Sequence, residues 1–560
     1  MIEWKKTAGE DRAEFEKYMW DGQERGCDRS FANMCLWGQQ RYAKVGDCLT
    51  FFAEWDGRVA YPYPIGPGDN AQVLKVLEED AKERGIPLFL TGLHEKEREE
   101  LEALYPGRFA FRADRGAFDY VYAIEDLAEL KGKKYHGKRN HVHRFWEAHP
   151  NCQIVPLDRE NTGIALAFSE VWYKKRMEEM PDSDFDMEKE AFERAIADFE
   201  ALGMEGLMLM ETSEDGEPVV LAVTMGNRMS KETFDVNLEK ARGDVEGAYA
   251  AVNQAFARYL REKYPELCYL DREEDMGLPG LRKAKESYRP HHQIVRMWAM
   301  PIAMEEPTKD DIPALRELWK EAFGDTDAFL DTFFVQAFAS ERCRLVRAGF
   351  DIAAALYWFD CECRGERMAY VYAVATKEAY RKQGLSHRLL EDTHRHLKEN
   401  GYGGVLLVPG SESLFRFYEG QGYEVCSGIR ELFVTASAEL KAAGITPEIE
   451  GLREVDASEF AVLRRQHLPD GGVIQEGANL AFLQTQAKFY AGEGVLLAAA
   501  EDEGALFGIE LLGDTEAASR ILAVLGYREG TFRIPGDARP FAMYYSLGSE
   551  TPSYFGFAFD

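Results

Sequence analysis

The segment that most constrains the fold is residues 368–401, MAYVYAVATKEAYRKQGLSHRLLEDTHRHLKENG. Met368–Thr376 is apolar, aromatic and β-branched, which is the composition of a buried strand. From Ser386 onward, Leu389, Leu390 and Leu397 recur among polar residues at helical spacing, and the pattern stops at Asn400-Gly401. Between the two lies Arg381-Lys382-Gln383-Gly384-Leu385-Ser386. A tight basic turn feeding a helix presents unpaired backbone N–H groups and the positive end of the helix dipole, a geometry that suits a pyrophosphate. Gly384 lets the backbone approach closely, and the small Ser386 leaves room at the helix start, where it is a favourable N-cap residue.

Strand patterns alternate with helical patterns of about 10–15 residues through the rest of the chain, which predicts an α/β (α+β) protein with mixed sheets flanked by helices. At 560 residues the chain exceeds one ordinary core. Four blocks are expected: residues 1–128, 129–300, 301–435 and 436–560. The first holds LTFFAEW, VAYPYPIG and the turn-rich stretch around Pro62, Pro64 and Pro67. The second holds a helix around Ala165–Met177, the strands PVVLAVTMG and KETFDVNLEK, and a helix from about Gly247 to Lys263.

There are 98 Asp plus Glu against 67 Lys plus Arg, a net charge of −31. Such a body repels nucleic acid and anionic lipid at long range and leans towards a cationic partner. The nine cysteines are an odd number with no C-x-x-C pair, so neither a disulfide framework nor a cysteine metal site is expected. The amino terminus is charged from the outset, and no apolar run approaches the length of a membrane span, so a cytoplasmic location is expected.

A second element follows the basic turn at a fixed distance: the strand GVLLVPG, then SESLFRFYEGQGYEV. Together the two resemble the GNAT N-acetyltransferases, whose acyl-coenzyme A signature is [Q/R]-x-x-G-x-[G/A]; Ser386 stands where Gly or Ala is usual. The resemblance implies an acetyltransferase with acetyl-coenzyme A as acyl donor, an amine as acceptor and no metal. It places the cofactor on Val374, Arg381, Lys382, Gln383, Gly384, Leu385 and Ser386, with a backbone N–H near Val374 polarising the thioester. Tyr418, ahead of Gly420, Gly422 and Tyr423, falls where the family has the tyrosine that protonates the departing thiolate. Asp360, Glu362 and Glu366 precede the strand as candidates for the base. His387, His394 and His396 read as surface or packing residues.

The amino-terminal 300 residues carry another resemblance, through DRSFANMCLWGQQRY, LAELKGKKYHGKRNHVHRFWEAHP and YLDREEDMGLPGLRKAKESYRP. They are similar to the soluble catalytic region of phosphatidylglycerol lysyltransferases, a tandem of two GNAT-like lobes related to Fem-type aminoacyl transferases. Glu239, Lys240, Arg272, Glu273 and Asp275 stand at the ends of two apolar strands, and Lys285 follows on a short helix, a charge mixture suited to an amino acid or a phosphate. Residues 131–149 hold six Lys/Arg and four His, either a tRNA-phosphate surface or the solvated face of a helix. The charge of the chain favours the second.

Residues 436–560 lack the basic glycine turn and are expected to be a degenerate GNAT-like lobe that completes the core or the acceptor cleft. The expected function is therefore acetyl transfer to a small-molecule amine or a basic peptide. The competing readings are aminoacyl-tRNA-dependent transfer to lipid or peptide by the amino-terminal module, and a non-catalytic coenzyme A-binding scaffold.

Overall fold

The computed structural model describes residues 2–19, 26–37, 40–55, 58–180, 185–213, 216–436 and 449–558. Gly38 and Gln39, within one of the quoted amino-terminal segments, lie outside the described residues. The chain forms two compact units, Met1–Pro301 and Ile302–Asp560. Both are mixed sheets flanked by helices, as the alternating patterns predict.

In the first unit, β1 (Gln40–Val45), β2 (Cys48–Trp55) and β3 (Arg58–Pro62) form an antiparallel ladder. Helix α1 (Asn70–Arg84) then crosses to β4 (Leu90–Leu93), which runs parallel to β3. The next two chain segments are β5 (Phe109–Ala113) and β6 (Asp119–Ala123), which belong to different sheets. After helix α2 (His136–Ala148), a second ladder is made by β7 (Met204–Thr212), β8 (Pro218–Arg228) and β9 (Thr233–Ala241). Helix α3 (Ala248–Lys263) leads to β10 (Tyr269–Asp271), parallel to β9, and β11 (His292–Ile294) follows.

The two ladders complete each other. β6 lies between β10 and β11, while Met297–Pro301, the start of β12 (Met297–Glu305), lies between β4 and β5. Each sheet thus holds a strand that the chain delivers from the other half.

The second unit repeats this plan. The end of β12, with β13 (Cys343–Ala348), β14 (Asp351–Cys363) and β15 (Glu366–Thr376), is antiparallel. Helix α4 (Leu385–Glu399) crosses to β16 (Gly404–Leu407), parallel to β15. Helix α5 (Glu412–Glu419) precedes β17 (Glu424–Thr435). A further ladder is β18 (Lys488–Gly492), β19 (Val495–Asp502) and β20 (Ala505–Gly513), with α6 (Ala518–Leu525) crossing to the parallel β21 (Glu529–Pro535). β22 (Arg539–Ser546) sits between β16 and β17, and β17 sits between β21 and β22. One sheet therefore runs through the whole unit, and residue 436 marks no break in it.

The cores lie between sheet and helices. Leu385, Leu389, Leu390 and Leu397 are at most 2% exposed, so α4 seats its apolar stripe on the sheet as the leucine spacing requires.

Candidate functional site

Strands β15 and β16 pair only from Met368↔Gly404 to Tyr370↔Leu406; beyond that β15 parts from β16 while staying paired with β14 as far as Thr376. Within that stretch Ala373 and Val374 together oppose Leu356, a β-bulge in which Ala373 takes φ +51°. A bulge leaves one residue's ladder groups unpaired, so a backbone donor is available beside Val374, which is half-buried.

The basic turn follows this stretch and leads into α4. Lys382 (φ +65°) and Gly384 (φ +73°) are left-handed, and nothing lies within 4 Å of where a Gly384 side chain would start. Gly384 caps α4, which begins at Leu385; the expectation that Ser386 is the N-cap is corrected. Ser386 instead lies in the first helical turn, and its hydroxyl meets that of Thr376 at 2.7 Å, tying helix start to strand end. Arg381 Nε donates to the Thr376 carbonyl (3.1 Å). Arg381 and Lys382 are exposed, Gln383 is half-buried and Leu385 is buried.

Tyr418 lies near the end of α5 and is buried. Its hydroxyl has no hydrogen bond among the described residues, and burial pushes its pKa up to about 12, so it carries its proton at neutral pH. Two contacts tie the neighbourhood of α5 to α4: His387 with Gln421, and His394 Nε2 with the Tyr423 hydroxyl at 2.8 Å. His394 is buried, with its pKa lowered to about 4 by desolvation and by His387, as befits a packing residue. His387 is exposed beside Glu391, and His396 is half-buried.

The carboxylates considered as bases are in the wrong place. Glu362 and Glu366 flank the β14–β15 turn, and Glu366 stands eight residues before Val374, roughly 26 Å along an extended strand. Asp360 accepts from the Tyr402 hydroxyl at 2.5 Å and pairs with Arg367 at 3.1 Å.

Among the described residues four strand pairs are parallel, each bridged by a helix, and the starts of the four helices differ. Asp69 caps α1 with its own carboxylate, which accepts from Ala71 N at 3.0 Å. Asp514, before α6, accepts from Glu516 N at 3.0 Å in the same way. Ahead of α3, a side chain on Gly247 would meet the His141 carbonyl of α2 at 2.3 Å, so α2 covers that start. Of these four starts, only that of α4 is both open and basic. In the last ladder, moreover, Glu510 follows a bulge in β20, as Val374 lies in one in β15, and holds the buried Arg464 in a bidentate pair (2.7 and 2.9 Å).

In the first unit, β9 and β10 part after Asp235↔Asp271, again just before a bulge, at Val236–Asn237. Asp119, Asp235 and Asp271 are wholly buried there. Asn237 Nδ2 donates to Asp235 (2.8 Å) and Glu273 (3.3 Å), and Asn33 Nδ2 donates to Glu273 (3.0 Å). Desolvation, then neighbouring carboxylates, raises Asp235 to about 8 and pushes Asp271 and Glu273 upward. Asp119 is raised to about 6, with Arg296 opposing the shift.

Cys27, Asp119 and Glu274 bring three possible ligand atoms within 4.8 Å of one another. Arg296 Nη2 lies 2.8 Å from Asp119 and 3.3 Å from Glu274, so a positive charge already faces those carboxylates.

Residues 21–299 match the family described as phosphatidylglycerol lysyltransferase, C-terminal, and residues 303–426 match the acetyltransferase (GNAT) domain. The chain thus carries a match to the first family followed by a match to the second.

Among solved structures, a conserved protein of unknown function from Bacteroides thetaiotaomicron VPI-5482 is 36% identical, with 53% of this chain and 99% of that one covered and a TM-score of 0.50. L-PGS from Bacillus licheniformis is 15% identical (53% and 92% covered, TM-score 0.39). A GCN5-related N-acetyltransferase from Kribbella flavida is 16% identical (44% and 72% covered, TM-score 0.36). A search of curated proteins found no match. No described helix is long and apolar enough to cross a membrane.

The six residues singled out in the lysyltransferase-type unit separate into different tasks. Arg272 pairs with Glu239 at 2.8 Å. Lys285 donates to the carbonyls of Arg272, Glu273 (3.1 Å) and Glu274 (2.6 Å), clamping the loop on which Glu273 adopts φ +58°. Asp275 is held low by Arg282 (2.8 Å) and Tyr120 (2.7 Å), a brace for the loop. Lys240 pairs with Glu188.

Only Glu273 of the six joins the buried carboxylates. The members missed are Asp119, Asp235, Asn237 and Asp271; of these, Asp235 and Asn237 alternate with Glu239 in FDVNLE, a polar face within an apolar strand that was visible in the sequence. The basic stretch behaves as a solvated face: Lys134 pairs with Asp126 (3.1 Å), Arg144 with Glu246 (2.8 Å) and Lys131 with Glu125 (3.3 Å).

Proposed function

We propose that the GNAT domain transfers acetyl from acetyl-coenzyme A to an amine, and that the four blocks 1–128, 129–300, 301–435 and 436–560 are GNAT-like lobes of which only the third binds the cofactor. The observation that carries this reading is the start of α4, open and basic where the three equivalent starts are capped by a carboxylate or covered. Acetyl-coenzyme A, when bound, supplies an acyl group activated as a thioester. The turn Arg381–Ser386 holds the pyrophosphate through backbone N–H groups and the helix dipole, aided by the charges of Arg381 and Lys382. The backbone N–H beside Val374 stabilises the oxygen that gains charge as the amine nitrogen attacks. The C–N bond forms, the C–S bond breaks, Tyr418 gives its proton to the sulfur, and the amine proton leaves to solvent.

Titrating acetyl-coenzyme A calorimetrically into the wild type and Gly384→Glu tests this. Micromolar binding, about −8 kcal/mol, lost in the variant supports the reading. Retained binding moves the site elsewhere, and absent binding in both proteins removes it.

For the lysyltransferase-type unit the reading is transfer of an aminoacyl group, with the carboxylates at the β9–β10 opening facing its ammonium. The excess of buried acid supports this. Titration with amino-acid amides should show binding that Asp235→Asn and Asp271→Asn weaken; equal binding by the variants would remove the reading.

A further inference from the structure

The structure assigns a positioning role to Tyr545, a residue from the far end of the chain that holds Tyr418 in place through His394 and Tyr423. This rests on the acetyltransfer reading for its catalytic meaning. Tyr545 lies on β22, the strand inserted between β16 and β17, where it pairs with Val405. Its ring stacks on His394 with centroids 4.0 Å apart and planes 16° from parallel. It also packs 5.4 Å from Tyr423 and against the Gly422 turn, where an added side chain would meet it at 3.2 Å.

His394 Nε2 bonds the Tyr423 hydroxyl at 2.8 Å, and Tyr423 meets Tyr418 edge-on at 5.6 Å. Tyr418 itself makes no hydrogen bond among the described residues, and the rings that meet it are those of Phe417 and Tyr423, so packing holds its ring. The stack therefore ties three parts together: the helix that follows the cofactor turn, the turn after the acid, and the strand supplied by a ladder that has lost its own turn. That is a concrete task for the degenerate half.

The titratable groups facing the network are His387 towards His394, and Tyr418 and Tyr545 towards Tyr423. No charged side chain perturbs Tyr418, whose raised pKa comes from burial alone. Loosening the stack should hydrate Tyr418 and return its hydroxyl towards the ordinary tyrosine value of about 10.

The experiment uses full-length protein labelled at tyrosine Cζ, with the Tyr418 resonance assigned by its loss in Tyr418→Phe. In the wild type that resonance should stay unchanged to pH 10.5. In Tyr545→Ala it should titrate below that pH, and Tyr545→Phe, which keeps the ring, should restore wild-type behaviour. Acetyl-coenzyme A binding to Tyr545→Ala serves as the check that the unit is folded.

In turnover, Tyr545→Ala should lower kcat at least tenfold with KM for acetyl-coenzyme A little changed, and should cause no further loss in a Tyr418→Phe background. An unmoved Tyr418 resonance in Tyr545→Ala, or an equal loss of rate with and without the Tyr418 hydroxyl, overturns the positioning role. Absence of acetyl transfer in the wild type overturns the functional reading and leaves the resonance test to decide the inference.

Discussion

The hydroxyls of Thr376 and Ser386 lie 2.7 Å apart, joining the last residue of β15 to the first turn of α4 across the whole basic turn. The family's usual Gly or Ala in place of Ser386 could not make this bond, so the departure has a local structural use.

Ser386→Ala removes one partly buried neutral hydrogen bond and should cost about 1 kcal/mol. Chemical denaturation would measure it. Coenzyme A affinity should change less than the affinity lost in Gly384→Glu, because the backbone N–H groups of the turn remain.

Arg464→Met should be far more destabilising. It leaves Glu510, 1% exposed, as a buried unpaired carboxylate beside Tyr554, at a cost of about 3–5 kcal/mol. Replacing both partners, Arg464→Met with Glu510→Leu, should recover most of the loss in urea unfolding. If the double variant is no better than the single, the charge account is wrong.

A fragment ending at residue 435 should not fold. β16 would lose its partner β22, and β17 would lose both β21 and β22, exposing strand edges and the apolar face of the sheet. Residues 302–560 should give a dispersed amide spectrum where 302–435 gives a collapsed one.

The two units should respond to pH in opposite senses. His394 has a folded pKa lowered to about 4 from 6.5, so below pH 6.5 the unfolded chain takes a proton that the folded one refuses. The stability of the GNAT unit is present above that pH and is lost as pH falls towards 4, by about 3 kcal/mol at the limit. In the lysyltransferase-type unit, Asp119 and Asp235 are raised to about 6 and 8 from 3.8. Their folded forms keep protons that the unfolded chain gives up, so this contribution is present at low pH and lost as pH rises through 6 and 8. Thermal unfolding at pH 5 and pH 8 should show the order of the two transitions change, and Asp235→Asn should reduce the alkaline loss in the first.

The strand, basic turn and helix of residues 368–401 were legible because everything they need is local. A β-branched run, a basic glycine turn and a leucine stripe lie within 34 residues, and propensity and periodicity act over that range. The similarity of the first 300 residues to the lysyltransferase region was equally a matter of the chain's own order. The structure decided what depends on distant residues. Which strand completes each sheet is set by pairings such as Val405↔Tyr545, 140 residues apart, and nothing in either segment's composition names its partner. Charges close in sequence were also sorted only by folding. Glu273 and Asp275 are two residues apart, yet one turns into the buried carboxylates and the other braces Arg282, where the backbone is left-handed at Glu273. Sequence determined where the basic strand-to-helix turn forms; tertiary structure decided that one of the four crossover-helix starts stays open, because closing the others required a carboxylate cap or a helix packed from elsewhere in the chain.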